Sequence, residues 1–346
     1  MVEEQFGKLA KYMNILIVGL GSIGQRHLRN LKKIDSKIKI YAYRRTFNTP
    51  TLDNQNNVIK ENLEKKYNLT YIKNLENLEK YNLDAGIICS PSSFHVKESI
   101  KLLKQRINIF VEKPLGSNLS NIKNLEKILK TYKKINMMGY QLKFCPIINT
   151  MKNIIKKKKL GNIKYISIHH GEHIKNFHRY EKYINLYASK KKLGGGVVLT
   201  QIHEIDYLLY ILGEYFVTKI KSLTKRISNL KIDVEDTLAA SLELKNKKNN
   251  KIFCNLHLNY YEIPRKREIN IIFEKGRVSA NLVNKKLIIE TEKNKITKKF
   301  NYPKNDLFLK EMKFFIKHVK NNLQINKNYS VLNGIKSLKL ALKLKN

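Results

Sequence analysis

The chain of 346 residues carries 68 lysine and arginine residues against 28 aspartate and glutamate residues, a formal net charge of +40. Its length exceeds one average domain, and a hydrophobic content of 42% is ample for buried cores, which excludes a disordered chain and predicts two domains. The lysines are scattered through almost every segment rather than gathered into one stripe interleaved with aromatic residues. We therefore attribute the charge to composition bias and expect no nucleic-acid partner.

Residues 1–13 are predicted to form an N-terminal extension, because they contain neither an apolar run of signal-peptide length nor a cleavage site. No later segment approaches the length of a membrane-spanning apolar run. The cysteines Cys89, Cys145 and Cys254 stand far apart, without the spacing of a metal site or a disulfide framework. These features predict a cytoplasmic protein with no membrane partner.

From residue 14 to residue 140, short apolar runs such as NILIVGL and INIFVE alternate with helical patterns such as HVKESIKLLKQ. Such alternation is typical of a parallel sheet with helices on both faces. We predict an α/β protein whose N-terminal domain, residues 14–140, is a Rossmann fold with a doubly wound parallel sheet.

The pattern changes in residues 141–346. A helical stretch leads into KYISIHHGEH, and several strand-like runs then follow one another without intervening helices. Consecutive strands of this kind indicate a mostly antiparallel sheet. Two amphipathic helices over about residues 305–345 close the chain. The second domain is therefore predicted to be an α+β domain with a large, mostly antiparallel sheet.

A glycine-rich turn, Gly19-Leu-Gly21-Ser-Ile-Gly24, follows the first predicted strand and opens a helix. In that position the pattern predicts dinucleotide binding, because the first glycine permits the tight turn, the second lets the backbone approach a pyrophosphate, and the third allows close packing of helix and strand. Ser22 and Ile23 begin the helix whose free amide groups would face the pyrophosphate. The alternative is an ordinary turn without a ligand.

The second predicted strand ends in Tyr41-Ala42-Tyr43-Arg44-Arg45, without the acidic residue that selects NAD through the ribose hydroxyls. Two guanidinium groups can pair with a 2′-phosphate, and Arg44 can also stack on adenine. We therefore expect NADP(H) to be favoured over NAD(H). The alternative is that Arg44 and Arg45 simply belong to a basic surface.

Four ordered segments resemble the Gfo/Idh/MocA oxidoreductase family. They are the glycine-rich turn, Cys89-Ser-Pro-Ser-Ser-Phe-His95 with Val111-Glu-Lys-Pro-Leu115, Gly139-Tyr-Gln-Leu-Lys-Phe144, and the run from Leu193 through HEIDYLL. The resemblance implies a Rossmann domain, residues 14–140, and a substrate-binding and oligomerisation domain, residues 141–346, whose open sheet face often forms homodimers or homotetramers. It further implies that the cofactor is contacted by Ser90, Pro91, His95, Glu112 and Lys113.

Lys113 and His203 are the expected catalytic residues. Lys113 lies just past the C-terminal end of a parallel strand, where such sheets bind ligands, and can stabilise oxyanion character on a substrate oxygen. His203 has an ordinary pKa near 6.5, which suits proton exchange with an alcohol. On one helix beginning near Val197, Thr200, His203 and Tyr207 would share a polar side. The alternative for His203 is a hydrogen-bonded core histidine.

One departure from the family concerns the acid that often stands three or four positions before this histidine, where the chain has Leu199 and Thr200. Glu204 and Asp206 are the candidates to replace it, although Asp206 can instead be structural. Either the proton relay is rerouted or the reaction differs from simple alcohol oxidation.

The expected substrate is a sugar, because tyrosine rings cover sugar faces and guanidinium groups pair with phosphate or carboxylate. The segment Phe177 to Tyr183 resembles one that lines the substrate pocket in the family subgroup that carries HEIDYL. The residues expected to bind substrate are Lys113, Gln141, Tyr183, Thr200, His203 and Tyr207. No metal is expected, because strand alternation places His169 and His170 on opposite faces.

These observations favour an NAD(P)-dependent dehydrogenase that acts on a secondary alcohol or ketone of a sugar. The resemblance to the subgroup that carries HEIDYL implies a nucleotide-sugar or sugar acid of surface-glycan synthesis as a more specific possibility. One alternative is a reductase of C=N or C=C bonds with the same architecture. Another is a non-catalytic sensor of NADP(H).

Overall fold

The computed structural model describes residues 12–47, 49–178 and 180–345. The predicted N-terminal extension, residues 1–13, lies outside the described residues except for Tyr12 and Met13, and Arg179 of the substrate-side segment is also outside them.

The first sheet contains six parallel strands in the order β3-β2-β1-β4-β5-β6. Its strands are β1 Asn14–Val18, β2 Lys39–Tyr43, β3 Thr70–Tyr71, β4 Ala85–Ile88, β5 Asn108–Glu112 and β6 Asn136–Gly139. The helices between them are α1 Ser22–Ile34, α2 Leu63–Tyr67, α3 Ser92–Lys104 and α4 Ile122–Tyr132. All four residues of β4 are buried, as expected for a parallel strand covered by helices on both faces.

The second sheet contains eight strands in the order β14-β13-β12-β11-β7-β10-β9-β8, and every neighbouring pair is antiparallel except β7 with β10. Its strands are β7 Ile163–Gly171, β8 Phe216–Lys225, β9 Thr237–Lys245, β10 Lys251–Asn259, β11 Lys266–Phe273, β12 Gly276–Asn281, β13 Lys286–Glu290 and β14 Lys295–Lys299. In β10, buried Ile252, Cys254 and Leu256 alternate with exposed residues, so one face packs on helices and the other is open.

The remaining helices are α5 Pro146–Lys157, α6 Val197–Thr200, α7 His203–Leu212, α8 Lys304–Lys320 and α9 Val331–Lys345. The predicted fold class is confirmed by the parallel sheet and the large, mostly antiparallel second sheet. The prediction of one helix from Val197 through Tyr207 is wrong, because the chain leaves the helix between α6 and α7. Among the described helices, none is long and apolar enough to cross a membrane.

The closing helix α8 returns to the first sheet and packs beside α1. Met312 and Phe315 of α8 belong to the same buried cluster as Ile15, Ile17 and Phe110 of the parallel strands. The C-terminal end of the chain therefore completes the core of the N-terminal sheet, which ties the two sheets into one structure.

A buried polar cluster lies beneath this packing, between α1, the end of β5 and α8. His27 Nε2 lies 2.6 Å from Glu112 Oε1, and both side chains are buried. Glu311 of α8 is fully buried close to them. Burial, followed by the neighbouring charge of Glu112, holds the pKa of Glu311 well above its ordinary value. Burial therefore favours the neutral form of Glu311, and the contact with His27 holds Glu112 in place.

A second buried contact joins the interdomain segment to the closing helix α9. Lys143 Nζ lies 3.0 Å from Asp206 Oδ1, and both side chains are almost completely buried. The same oxygen accepts hydrogen bonds from Asn333 at 2.7 Å and Ser337 at 3.2 Å. Asp206 is thus held among α7, α9 and the segment after β6. These contacts favour its structural interpretation over a role in the proton relay.

Candidate active site

Lys113 follows the last residue of β5 at the C-terminal edge of the parallel sheet. The carboxylate of Glu112 accepts a hydrogen bond from the Lys113 backbone amide at 3.1 Å, so the buried cluster of His27, Glu112 and Glu311 also orients the backbone of Lys113. The side chain crosses to the second domain, where its Nζ donates to the Thr200 carbonyl at 2.9 Å. Lys113 therefore connects the C-terminal edge of the parallel sheet to the end of α6 in the second domain.

The break between α6 and α7 explains why the Thr200 carbonyl accepts this bond. In a continuous helix, the amide of Glu204 would donate to the carbonyl of Thr200, four residues earlier. Here the Glu204 amide instead donates to Gln201 at 3.2 Å. The carbonyl of Thr200 is left for Lys113, and the break aims it at the cleft.

His203 begins α7 next to this contact and is only 6% exposed. Its ring meets Tyr140 edge to face, with the ring centres 5.8 Å apart. Burial, followed by the positive charges of Lys113 and Arg267, lowers the pKa of His203 well below its ordinary value. The imidazole is therefore neutral near pH 7 and can accept a proton.

Glu204 adjoins His203 but is committed to a buried ion-pair network. Arg267 Nε of β11 donates to Glu204 Oε1 at 2.7 Å, and His170 Nδ1 of β7 lies 3.1 Å from the same oxygen. Burial acts to raise the pKa of Glu204, but the charge of Arg267 and the contact with His170 outweigh it and lower the pKa. Glu204 is ionised and acts on His203 through its charge, which opposes part of the lowering by Lys113 and Arg267.

The glycine-rich turn has the geometry of a phosphate-binding loop. Gly19 has a φ of +92°, and a Cβ on Gly24 would lie 2.0 Å from the Gly19 carbonyl oxygen. A Cβ on Gly21, in contrast, would meet nothing within 4 Å. The fold therefore demands glycine at positions 19 and 24, whereas Gly21 borders open space at the N-terminus of α1. That space fits a dinucleotide pyrophosphate, which the free amides of Ser22 and Ile23 would bind.

The two arginines after β2 differ in their surroundings. Arg45 Nη2 lies 2.7 Å from Glu98 Oε1, and its guanidinium lies 3.9 Å above the Phe94 ring. Arg44 stacks over Phe47 at 4.7 Å and donates to the Thr46 carbonyl at 3.2 Å. The charge of Arg45 is thus largely compensated, whereas these contacts leave the positive charge of Arg44 uncompensated.

The structure changes the interpretation of His95. Its Nδ1 lies 2.8 Å from the Pro114 carbonyl oxygen, its Nε2 lies 2.6 Å from that of Ser90, and the residue is 1% exposed. Both ring nitrogens are occupied by the protein, so His95 braces the loops after β4 and β5 and does not face a cofactor. Glu112 is likewise buried and oriented toward His27. Ser90 and Pro91 remain at the loop that follows β4, where their cofactor contact stays a prediction.

Of the residues expected to bind substrate, the structure brings Lys113, Thr200 and His203 together. Gln141 lies half-buried two residues after the end of β6. Tyr207, however, is fully buried, with no exposed surface for a substrate. Tyr183 accepts a hydrogen bond from the Lys231 amide at 3.3 Å and so packs on the loop before β9.

The sequence reasoning gave no role at the site to three buried residues that contact His203 or Glu204: Tyr140, His170 and Arg267. Arg267 is buried at an inward position of β11, where the alternating pattern predicts an apolar residue, and that breach of the pattern was the available signal. The expected separation of the adjacent histidines is confirmed, because His170 faces Glu204 whereas His169 bonds Glu262 at 2.6 Å on the open face.

Comparison with known families matches residues 13–140 to the "Oxidoreductase family, NAD-binding Rossmann fold" and residues 148–279 to the "GFO/IDH/MocA C-terminal domain". Myo-inositol 2-dehydrogenase of Thermotoga maritima is 26% identical over 324 residues, which cover 89% of this chain and 88% of that protein. Glucose-6-phosphate 3-dehydrogenase of Bacillus subtilis is 23% identical, over 72% of this chain and 68% of that protein.

The fold is also that of UDP-N-acetylglucosamine 3-dehydrogenase from Acidithiobacillus ferrooxidans, with a TM-score of 0.73 and 14% identity, over 96% of this chain and 97% of that structure. These two curated relatives are dehydrogenases, in agreement with the predicted nicotinamide-dependent dehydrogenase class. Since the two family matches together span most of the chain, the protein belongs to the Gfo/Idh/MocA family of NAD-binding oxidoreductases.

Proposed function

We propose that the protein oxidises a secondary alcohol of a sugar or cyclic polyol, with Lys113 and His203 as the catalytic residues. The observation that carries this proposal is the placement of the Lys113 ammonium beside a neutral, buried His203 at the C-terminal edge of the parallel sheet. A bound nicotinamide would supply the hydride acceptor at that edge.

The roles of the two side chains follow from their charge states. Neutral His203 accepts the hydroxyl proton of the substrate as the alcohol is oxidised. The Lys113 ammonium donates to the same oxygen and stabilises its developing negative charge. The Thr200 carbonyl holds the ammonium in place until the substrate oxygen arrives. The paired charges of Glu204 and Arg267 lie next to His203 and act on the pKa of its imidazole.

The charge state of His203 also bears on the alternatives. With its pKa lowered, His203 rests in the neutral form from which alcohol oxidation starts, whereas a reductase would start from the protonated form. A sensor of NADP(H) would not need a lysine and a neutral histidine at the reaction edge. Oxidation of an alcohol therefore accounts for more of the site than either alternative.

We further propose that the substrate is a sugar that carries an anionic group, with a phosphorylated sugar or nucleotide-sugar favoured and a sugar acid of surface-glycan synthesis as the alternative. Relatives named for glucose 6-phosphate and UDP-N-acetylglucosamine support this class, while a relative named for myo-inositol supports a neutral polyol. Gln141 at the end of the parallel sheet is the proposed additional substrate contact.

For the cofactor we propose NADP(H) over NAD(H), with Arg44 as the main contact to the 2′-phosphate. The uncompensated guanidinium of Arg44 after β2 supports this preference. Arg45 contributes less, because Glu98 already pairs with it.

We also propose that the protein forms a cytoplasmic homo-oligomer through the open face of the second sheet. Phe253, Tyr165 and Ile272 are adjacent across β10, β7 and β11, and Phe253 and Ile272 are 56% and 46% exposed. Burial of this apolar row against a second copy would remove it from water. Three free buried thiols suit a reducing compartment.

Light scattering should give a mass above the 40.6 kDa of one chain, and a monomer would contradict the proposed homo-oligomer.

Replacing Lys113 or His203 with alanine should lower kcat for sugar oxidation by roughly 100-fold or more. The first change removes the group that stabilises the oxyanion, and the second removes the general base. The dissociation constant of the reduced cofactor should change by less than about 3-fold. Steady-state rates on a panel of inositols, sugar phosphates and UDP-sugars, with cofactor fluorescence titrations, would measure both. Lys97→Ala, an exposed change on α3, is the matched control. Wild-type rates in both variants would refute the assignment.

The acid limb of kcat/KM for oxidation should lie well below pH 6.5, because His203 must be neutral to accept a proton and its pKa is lowered. Lys113→Met removes a positive charge beside the imidazole, which should raise the pKa of His203 and move the limb to higher pH. Initial rates between about pH 5 and 9 would locate the limb in both proteins. A limb that stays in place in the variant would show that Lys113 does not act on this imidazole.

Arg44→Ala should weaken binding of NADPH by about 10-fold while changing NADH binding little, since a charge-assisted contact to the 2′-phosphate is lost. Arg45→Ala should have the smaller effect, because its guanidinium is paired with Glu98. Fluorescence titration of both cofactors against the wild type and the two variants would test this. Equal losses for NADH and NADPH would contradict the proposed preference.

A further inference from the structure

Four positively charged side chains converge between the glycine-rich turn and the second sheet, and we call them the cationic cluster: Arg26, Arg265, Arg267 and Lys304. Arg26 lies on α1, one turn after Ser22. Lys304 is the first residue of α8. Arg265 precedes β11, and Arg267 lies within it. Helices from the nucleotide-binding side and a strand of the second sheet therefore contribute cations to one place.

On the nucleotide-binding side, Arg26 contacts the first turn of α8. Its Nη1 donates to Asn305 Oδ1 at 3.0 Å, and its guanidinium lies 5.0 Å above the Phe308 ring. Asn305 directly follows Lys304, so the two cations are neighbours across the junction of α1 and α8. An amide oxygen and an aromatic ring orient the guanidinium but do not neutralise it.

On the sheet side, each arginine has one carboxylate partner. Arg265 Nε lies 3.1 Å from Glu172 Oε2, and Arg267 Nε lies 2.7 Å from Glu204 Oε1. The four cations of the cluster thus face Glu172 and Glu204, and the charge of Glu112 also acts on Arg26, which leaves a net charge of about +1.

The cations act on one another. Desolvation, followed by the charges of Arg265 and Arg26, lowers the pKa of Lys304, although Glu172 partly opposes this effect. The side chains of Lys304 and Arg265 nonetheless keep exposed surface and can reach a ligand. The cations repel one another, and a bound anion would reduce that repulsion.

The cationic cluster is connected to the reaction centre. Arg267 binds Glu204, the residue next to His203, and lowers the pKa of that histidine. On its other side, Arg26 follows the turn whose Ser22 Oγ lies 3.4 Å from His178 Nε2. An anion bound at the cluster would therefore lie beside both the proposed catalytic residues and the cofactor loop.

We propose that the cationic cluster binds the phosphate group of a phosphorylated sugar substrate, with Arg265 and Lys304 as the residues that reach it. This inference rests on the proposed function and names its substrate class. The cluster keeps a net positive charge that attracts an anion, and guanidinium groups bind phosphate oxygens in pairs. The same chemistry would also suit the pyrophosphate of the cofactor, so the experiment has to separate the two sources.

The test uses calorimetric titration of the full-length protein saturated with reduced cofactor, so that the cofactor's own phosphates are in place and no turnover occurs. Inorganic phosphate, glucose 6-phosphate and glucose are the probes. Arg265→Gln and Lys304→Gln each remove one exposed cation of the cluster. Lys310→Gln, an exposed lysine further along α8, is the matched control. Thermal unfolding of each variant checks that it folds.

We expect each cluster variant to bind glucose 6-phosphate and inorganic phosphate about 10-fold more weakly or worse, with unchanged affinity for the cofactor. Lys310→Gln should bind all of these ligands as the wild type does. A loss of cofactor affinity with unchanged glucose 6-phosphate binding would assign the cluster to the cofactor and overturn the inference. No phosphate binding by the wild type, or equal binding by all variants, would also overturn it.

The two proposals fail in different ways. Phosphate binding that depends on Arg265 and Lys304, in a protein that oxidises none of the sugars, would support the cluster and refute the proposed reaction. Oxidation of a neutral polyol such as myo-inositol, with no phosphate bound at the cluster, would support the reaction and refute the cluster.

Discussion

The hydrogen bond from Lys113 to the Thr200 carbonyl is the interaction on which the organisation of the cleft depends, because it joins the edge of the parallel sheet to the helix pair of the second domain. Both partners are prepared for it. Glu112, fixed by His27 and accompanied by neutral Glu311, orients the backbone of Lys113 from below. The interruption between α6 and α7 releases the Thr200 carbonyl from the helical hydrogen-bond pattern.

The electrostatics of His203 follow from the same arrangement. Burial, followed by the charges of Lys113 and Arg267, lowers the pKa of His203 and favours the neutral imidazole, which is the form that can accept a proton from an alcohol. The family's usual acid before this histidine is absent, and Glu204 does not simply take its place. Glu204 is turned toward Arg267 and His170, where its charge compensates a buried guanidinium. The protonation state of His203 is therefore governed by neighbouring charges rather than by a relay of carboxylates.

The same network connects the reaction centre with the cationic cluster. Arg267 belongs to both, since it binds Glu204 beside His203 and lies with Arg265 at the start of β11. Occupation of the cluster by an anion would reduce the positive potential at His203 and raise its pKa. Anion binding at the cluster and base strength at His203 would therefore be physically coupled in this fold.

The sequence by itself determined the fold class and the glycine-rich turn, because alternating strands and helices and glycines at a turn can be recognised without knowledge of distant contacts. Lys113 and His203 were predicted from the resemblance of the segments that carry them to the family. Only the tertiary structure decided what His95, Tyr207 and Arg267 do. His95 contacts backbone carbonyls of two loops, Tyr207 is fully buried in the core, and Arg267 pairs with Glu204. Each role depends on a partner that is remote in the sequence. Partners brought together over more than 60 residues, as Arg267 and Glu204 are, leave no periodic signal in the chain.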